Sequence, residues 1–181
     1  APVAAREAAR GVVARRPIEV GVVADAHLLS SRDLALGGGA RSAIGIGGRF
    51  FLRIDALAHH AELARDAGTI ALTLASVSGA VGVSFGAAWL QPKVSLGVRG
   101  GYAWMNGIAA SVASTGHSEN GAWFGPELAV DLSAWPRARV HPLLSLAAGA
   151  HVLGVKGTVN GGNDVTATGF WGAFSLGIAV R

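Results

Sequence analysis

The 181-residue sequence contains no cysteine and few charged residues. The absence of cysteine excludes disulfide bonds, thiol catalysis and metal sites with cysteine ligands. Charged residues make up 14% of the chain, well below the roughly 25% of an ordinary soluble domain. Hydrophobic residues make up 51%. This balance favours a protein whose solvent is a membrane.

Long apolar runs of the helical type are also scarce. One uncharged stretch, from Ala67 to Pro92, is long enough to cross a bilayer as a helix, and Gly82 and Gly86 have the spacing found in membrane helix dimers. Threonine, serine and valine are frequent in it, and its composition is poor in helix formers. We therefore interpret residues 69–85 of this stretch as one long strand.

The net charge of +4 does not indicate a nucleic-acid partner. It comes largely from four arginines among the first sixteen residues, whereas basic residues in the remaining chain are spaced singly and matched by carboxylates. Residues 1–16 show neither a signal-type apolar region nor a strand pattern. We predict that they form an N-terminal extension or a linker.

Charged residues keep to one parity inside otherwise apolar segments. From Ile18 to Leu28 every even position is apolar, while the odd positions include Glu19, Asp25 and His27. A period of two is the spacing of a β-strand. Repeated through the chain, it predicts a sheet closed into a barrel with a lipid-facing outside and a polar interior, or lumen. A soluble lipocalin-like barrel would need the opposite arrangement.

Eight strand segments can be read, and an even number suits antiparallel closure. They cover residues 17–29, 40–48, 51–61, 69–85, 93–109, 122–135, 142–156 and 165–181. Longer loops are expected over 30–39, 62–68, 110–121 and 157–164, with shorter turns between them. The sequence therefore predicts an all-β, antiparallel up-and-down transmembrane β-barrel over residues 17–181, with both termini on the periplasmic side.

Aromatic residues are expected to form two girdles at the membrane interfaces. The girdle near the termini would contain Phe50, Phe51, Phe85, Trp89 and Trp135, and the outer girdle Trp104, Trp123, Phe124, Phe170 and Trp171.

The inward parity also predicts a salt-bridge network in the lumen, because isolated ions withdrawn from water cost several kcal/mol. Its expected members are Glu19, Asp25, Arg41, Arg53, Asp55, Arg99, Glu127 and Asp131, and the same parity adds His27, Arg49, His59 and His151. The alternative is a narrow pore, although barrels of eight strands are usually filled by side chains.

Two segments, from His59 to Glu62 and from His117 to Glu119, contain the residue types of a Ser/His/carboxylate hydrolase. Neighbouring side chains on a strand point to opposite faces, so His117 cannot readily activate Ser118. His59 and His60 diverge for the same reason, which disfavours a metal site there. We predict no catalytic site, no metal and no cofactor.

Three segments, Gly97–Gly107, Trp123–Pro136 and Gly169–Arg181, resemble the hairpins of small outer-membrane β-barrels of Gram-negative bacteria, the OmpA/OmpX-like class. The Ala/Gly-rich style is similar to that of barrel proteins from high-GC bacteria such as myxobacteria. The resemblance covers residues 17–181 and is architectural. It implies an outer-membrane location, lipid partners, and a protein partner reached through the outer loops or the N-terminal extension.

These observations together favour a structural or interaction protein that presents loops on a filled barrel. A narrow pore is the first alternative, and a lipid hydrolase at the outer rim is the second.

Overall fold

The computed structural model describes residues 18–65, 68–86, 89–109, 116–154, 156–157, 165–166 and 168–181. The predicted extension over residues 1–16 lies outside this part of the chain. Within the described segments the chain forms the strands β1 (Ile18–Leu28), β2 (Leu34–Gly47), β3 (Phe50–Arg65), β4 (Gly68–Ser84), β5 (Leu90–Ala109), β6 (Ser118–Ala134), β7 (Val140–His151), β8 (Lys156–Gly157), β9 (Val165–Thr166) and β10 (Gly169–Val180).

Eight strands close into one antiparallel barrel in the order β1-β10-β7-β6-β5-β4-β3-β2, and β8 pairs separately with β9. The predicted all-β barrel of eight strands is confirmed. Most of the uncharged stretch forms β4, which pairs without interruption to β3 and β5. No helix long and apolar enough to cross a membrane is found among the described residues.

The pairing register sets the shape of the barrel. A row of paired residues that starts at Asp131 on β6 runs through Asp25 and His59 and returns to β6 at Gly121. The displacement along β6 after one circuit of the barrel, which is the shear, is therefore 131 − 121 = 10 residues. Eight strands with this shear tilt by about 40° and enclose a space that side chains can fill.

Parity decides which side chains face the lumen, as the sequence predicts. On seven barrel strands the inward residues have odd numbers, so Val20 and Val22 are exposed outside while Asp25 and His27 are buried inside. β4 has even numbers inside, because the turn after β3 pairs Arg65 with Gly68 and shifts the parity by one.

Two predicted loops are largely strand. β2 begins at Leu34 and not at residue 40, and β3 and β4 extend through most of residues 62–68. Glycine has low strand propensity, but Gly39 is paired on one side with Val23 and on the other with Leu57, so barrel closure overrides the local preference. The predicted strand over 165–181 is divided, and its barrel part begins at Gly169.

The strands differ in height. β3 to β6 contain 16, 17, 20 and 17 residues, whereas β1 contains 11 and β7 and β10 contain 12 each. We call the end that holds Ile18 and Val180 the termini end and the opposite end the far end. The four long strands rise above the others at the far end.

The interior of this raised part is apolar, whereas the sequence predicts a polar lumen. Its buried core includes Leu63, Ile70, Leu72 and Met105. On the outside of the same strands lie exposed Glu62, Asn106, Ser118 and Asn120. Apolar inside and polar outside is the pattern of a sheet whose outer face meets water.

Candidate functional site

In the described part of the chain, the charged side chains inside the lumen lie in successive layers. In the layer nearest the termini, Lys93 Nζ on β5 lies 2.8 and 2.9 Å from the two carboxylate oxygens of Glu19 on β1. Because β1 and β5 are opposite each other in the ring of eight strands, this pair crosses the lumen. His141 Nε2 lies 3.3 Å from Glu19 Oε2. A recess of about 190 Å³ opens beside this layer and is lined in part by Phe51 and Arg181.

The middle layer is built on Arg41 of β2. Its Nε and Nη2 atoms donate to the two oxygens of Asp55 at 2.8 and 3.0 Å, a two-point contact that matches the shape of a carboxylate. Its Nη1 atom donates to Asp131 Oδ1 at 2.9 Å. β2 and β6 are opposite strands, so Arg41 forms a second connection across the lumen.

Arg53 and Arg99 complete the middle layer. Arg53 lies 3.4 Å from Asp131 Oδ2 and 3.3 Å from Asp55 Oδ2, and it donates to Glu127. Arg99 also donates to Glu127. The three guanidinium groups thus meet three carboxylates, and all six side chains are at most 5% exposed. Such a layer is strongly destabilised when one partner is removed, because the remaining ion stays buried.

Above this layer, Asp25 on β1 pairs with a histidine. His59 Nε2 lies 2.6 Å from Asp25 Oδ1, and the Ser175 hydroxyl on β10 donates to Asp25 Oδ2 at 2.5 Å. In the register, Gly37 of β2 lies between Asp25 and His59. Glycine contributes no side chain there, so the two functional groups meet across the intervening strand.

His27 lies beside this pair and is 1% exposed. Its ring centroid is 5.2 Å from that of His59 and 4.9 Å from that of Trp171. Neither ring nitrogen of His27 has a hydrogen-bond partner. Ligand-type atoms of Asp25, His27 and His59 all lie within 4.8 Å of one another, which makes this the group that could hold a metal ion in the described part of the chain.

Two tryptophans assigned to the outer girdle lie inside the barrel. Trp123 is 2% and Trp171 is 4% exposed, and both rings lie near His151, at 4.4 and 5.9 Å between centroids. Both have odd numbers on strands whose odd residues face inward, so parity overrides their height in the barrel. Phe51 is buried for the same reason.

The remaining girdle tryptophans are on the outside. Trp89, Trp104 and Trp135 are 63%, 47% and 62% exposed. Trp89 and Trp135 lie at the termini end, where the Trp135 amide donates to the Trp89 carbonyl.

Arg49 is not part of the lumen network. It lies in the turn between β2 and β3 and is exposed, because the pairing shifts between Gly45 and Gly47 and ends the alternation. Conversely, Lys93, His141 and Ser175 contribute to the lumen contacts and are not among the residues that the sequence predicts there. All three have odd numbers on their strands, so parity would have found them once the strand bounds were known.

The barrel wall separates His59 from His60 and Ser118, the other central residues of the hydrolase alternative. His59 is inside and pairs with Asp25, whereas His60 is outside and contacts Thr73 Oγ1 at 3.1 Å. Ser118 is exposed and donates to Asn106 Oδ1 at 2.5 Å. His117 lies 4.0 Å from Glu119 and is 71% exposed. Ser118 therefore has an amide partner and not an imidazole as its hydrogen-bond acceptor.

The outer surface below the raised strands is apolar. Its exposed side chains include Val20, Val22, Val77, Val81, Leu96, Val98, Leu128, Leu146, Leu176 and Ile178. The charges are inside and the aliphatic groups outside, which is the arrangement of a transmembrane barrel.

Comparison with known proteins gives matches in fold. No protein-family model matches the chain, and no curated protein matches it. The structure is similar to a major outer membrane protein from Thermus thermophilus, with a TM-score of 0.63 and 12% identity over 91% of this chain and 99% of that one. It is similar to Neisserial surface protein A, with a TM-score of 0.58 and 13% identity over 91% and 95% of the two chains.

A third match is the outer membrane protein OprG from Pseudomonas aeruginosa, with a TM-score of 0.55 and 11% identity over 91% of this chain and 95% of that one. At these identities the matches show the fold. The chain has the architecture of a small outer-membrane β-barrel.

Proposed function

We propose that the protein is an integral outer-membrane barrel that acts as a closed scaffold and presents its far end to the outside. The observation that carries this proposal is the pair of ionic connections between opposite strands, Glu19 with Lys93 and Arg41 with Asp131. Side chains that meet across the lumen occupy its cross-section, so the interior serves as packing.

Residence in the outer membrane is supported by the outer surface of this chain. On β5 the outward residues from Val94 to Tyr102 are apolar, aromatic or glycine, with Trp104 next and Asn106 after it. About nine residues is the length that a tilted strand needs to cross a bilayer. We place the termini end in the periplasm and the raised strands outside, as the sequence predicts.

Ion conductance distinguishes a scaffold with a filled lumen from a pore. We expect the purified barrel, reconstituted in a planar bilayer, to give no ion conductance above that of the bare bilayer. An open porin reconstituted in the same way is the control for insertion. Stepwise conductance at constant voltage from the wild-type protein would contradict the scaffold proposal and support the narrow pore.

A further inference from the structure

We propose that Asp25, His27 and His59 form a binding site for a divalent transition-metal ion in the lumen. All three side chains are buried, at 5%, 1% and 3% exposed, and they come from the strands β1 and β3 on either side of β2. Two imidazole nitrogens and one carboxylate oxygen are a ligand set that suits zinc and its neighbours in the first transition row.

The first argument is the state of His27. A buried polar group normally has a hydrogen-bond partner, and leaving it without one costs about 1–3 kcal/mol. Both nitrogens of His27 lack a partner, while the ring faces His59 at 5.2 Å between centroids. A metal ion between the two rings would give His27 the partner that the protein itself does not provide.

The second argument is the charge of the lumen. Among the described residues, its buried or half-buried carboxylates in ion pairs are Glu19, Asp25, Asp55, Glu127 and Asp131, and its lysine and arginine side chains in ion pairs are Lys93, Arg41, Arg53 and Arg99. Five negative charges against four positive charges leave one carboxylate over. In the described part of the chain, Asp25 is the one of these five carboxylates that has no lysine or arginine nitrogen within 4.0 Å, the distance limit for a salt bridge. Within the described residues, Asp25 has only a histidine, His59, as its ion-pair partner, and it lies next to His27, whose ring nitrogens have no hydrogen-bond partner.

The third argument is that the site is already held in place. Ser175 donates to Asp25 Oδ2, which orients the carboxylate and leaves Oδ1 toward His59. Hydrogen bonds of this kind to a ligating carboxylate fix the ligand in metal sites. Around a tetrahedral ion with bonds of about 2.0–2.1 Å, two ligand atoms are ~3.3 Å apart. His59 Nε2 and Asp25 Oδ1, now 2.6 Å apart, would separate by less than one ångström.

The test uses the complete chain, folded in detergent micelles and freed of metal with a chelator that is then removed. Titration with Co²⁺ is expected to give visible absorption bands that saturate at one equivalent, and Zn²⁺ is expected to abolish them by displacement. In His27→Gln and Asp25→Asn we expect the affinity for Co²⁺ to fall at least tenfold. The matched control is the double variant His60→Gln/His117→Gln, which removes two exposed histidines and should bind as the wild type does.

The proposal is wrong if the wild type shows no saturable binding, or if His27→Gln binds Co²⁺ as tightly as the wild type. Far-UV circular dichroism reports whether each variant folds. If neither lumen variant folds, X-ray absorption at the zinc edge of the wild-type complex decides the question. Two imidazole ligands and one carboxylate are expected, and a spectrum with fewer than two imidazoles contradicts the site.

Discussion

Arg53 shows how one side chain can hold several elements of the barrel together. It is 1% exposed and contacts Asp55 on its own strand and Glu127 and Asp131 on β6. A guanidinium group has five N–H donors in a plane, so it can meet several carboxylates at once, which the point charge of lysine does less well. Arg53 therefore gives the layer several directed hydrogen-bond donors as well as a positive charge.

Replacement of Arg53 by methionine should destabilise the barrel strongly. It leaves Glu127 and Asp131 with one cation fewer in a buried layer, and the expected loss is roughly 3–5 kcal/mol in the free energy of unfolding. The measurement is urea unfolding in detergent, followed by tryptophan fluorescence.

The control for this substitution is Arg49→Met in the exposed turn, which should change the free energy of unfolding by no more than about 0.5 kcal/mol. Equal losses in the two variants would show that the lumen network does not stabilise the barrel. The double variant Arg53→Met/Glu127→Gln should lose less than the sum of the two single variants, since the two residues are in contact.

At the scale of the strand, β7 and β10 show how a small residue makes room for a large one. Gly149 on β7 is the register partner of Trp171 on β10. A Cβ atom added at Gly149 would lie 2.5 Å from the Trp171 ring and would also meet the carbonyl oxygen of Pro126. The glycine thus lets the indole lie flat against the wall, where it stacks with His27 and has Arg99 5.2 Å from its ring centre.

We expect Gly149→Ala to destabilise the barrel by roughly 1–3 kcal/mol, because the new methyl group overlaps the ring and the backbone of β6. Gly79→Ala on β4 is the matched control, since a Cβ there meets nothing within 4 Å. Chemical unfolding of both variants in detergent provides the comparison. Gly149→Ala as stable as Gly79→Ala would mean that Trp171 does not occupy the place described.

The same strands show what could be predicted from the sequence. Parity on β1, β3 and β6 was sufficient to predict the closed barrel and to assign Asp25, Arg53, Glu127 and their neighbours to the lumen. The predicted girdles depend on height along the barrel alone, and they wrongly place Trp123 and Trp171 outside although both have inward parity. Alternation therefore predicts whether a side chain faces the lumen or the outside even for aromatic residues.

Other features could not be predicted, because they depend on contacts between distant strands. Asp25 and His59 are 34 residues apart, and their meeting depends on the register of β1 and β3 against Gly37. The extension of β2 through three glycines depends on pairing with both neighbours and not on local preference. The raised far end of β3 to β6 is apolar inside because the polar residues change parity there, from Asp55 and His59 on the inner face to Glu62 on the outer face. This change shows in the sequence only once the strand is known to continue past residue 61.

At the scale of the whole molecule, this exchange of polarity divides the outer surface into two zones. On β5 the outward residues below Tyr102 and Trp104 are aliphatic or glycine, and beside or above Trp104 the exposed residues Asn106, Ser118 and Asn120 are polar. Tyr102 bridges the two zones, since its ring faces outward and its hydroxyl donates to Asn120 at 2.5 Å. Aromatic rings with a polar atom at one end are typical of the membrane interface.

The absence of cysteine makes the two zones directly measurable. We expect Asn106→Cys to react with a water-soluble maleimide in proteoliposomes, and Leu96→Cys on the same strand to stay unlabelled until detergent is added. In intact cells, Asn106→Cys should be labelled and Arg139→Cys at the termini end should not. Rapid labelling of Leu96→Cys in liposomes would contradict the membrane zone, and the reverse result in cells would invert the proposed orientation.

The connections across the lumen also have a consequence for the order of folding. Arg41 and Asp131 are 90 residues apart in sequence, and Glu19 and Lys93 are 74 apart. These ions meet only after the sheet has curled far enough to bring opposite strands together, so a partly curled sheet holds unpaired charges beside the bilayer. The incomplete forms are therefore penalised electrostatically, while the closed form is not. Insertion and closure should consequently occur as one cooperative transition.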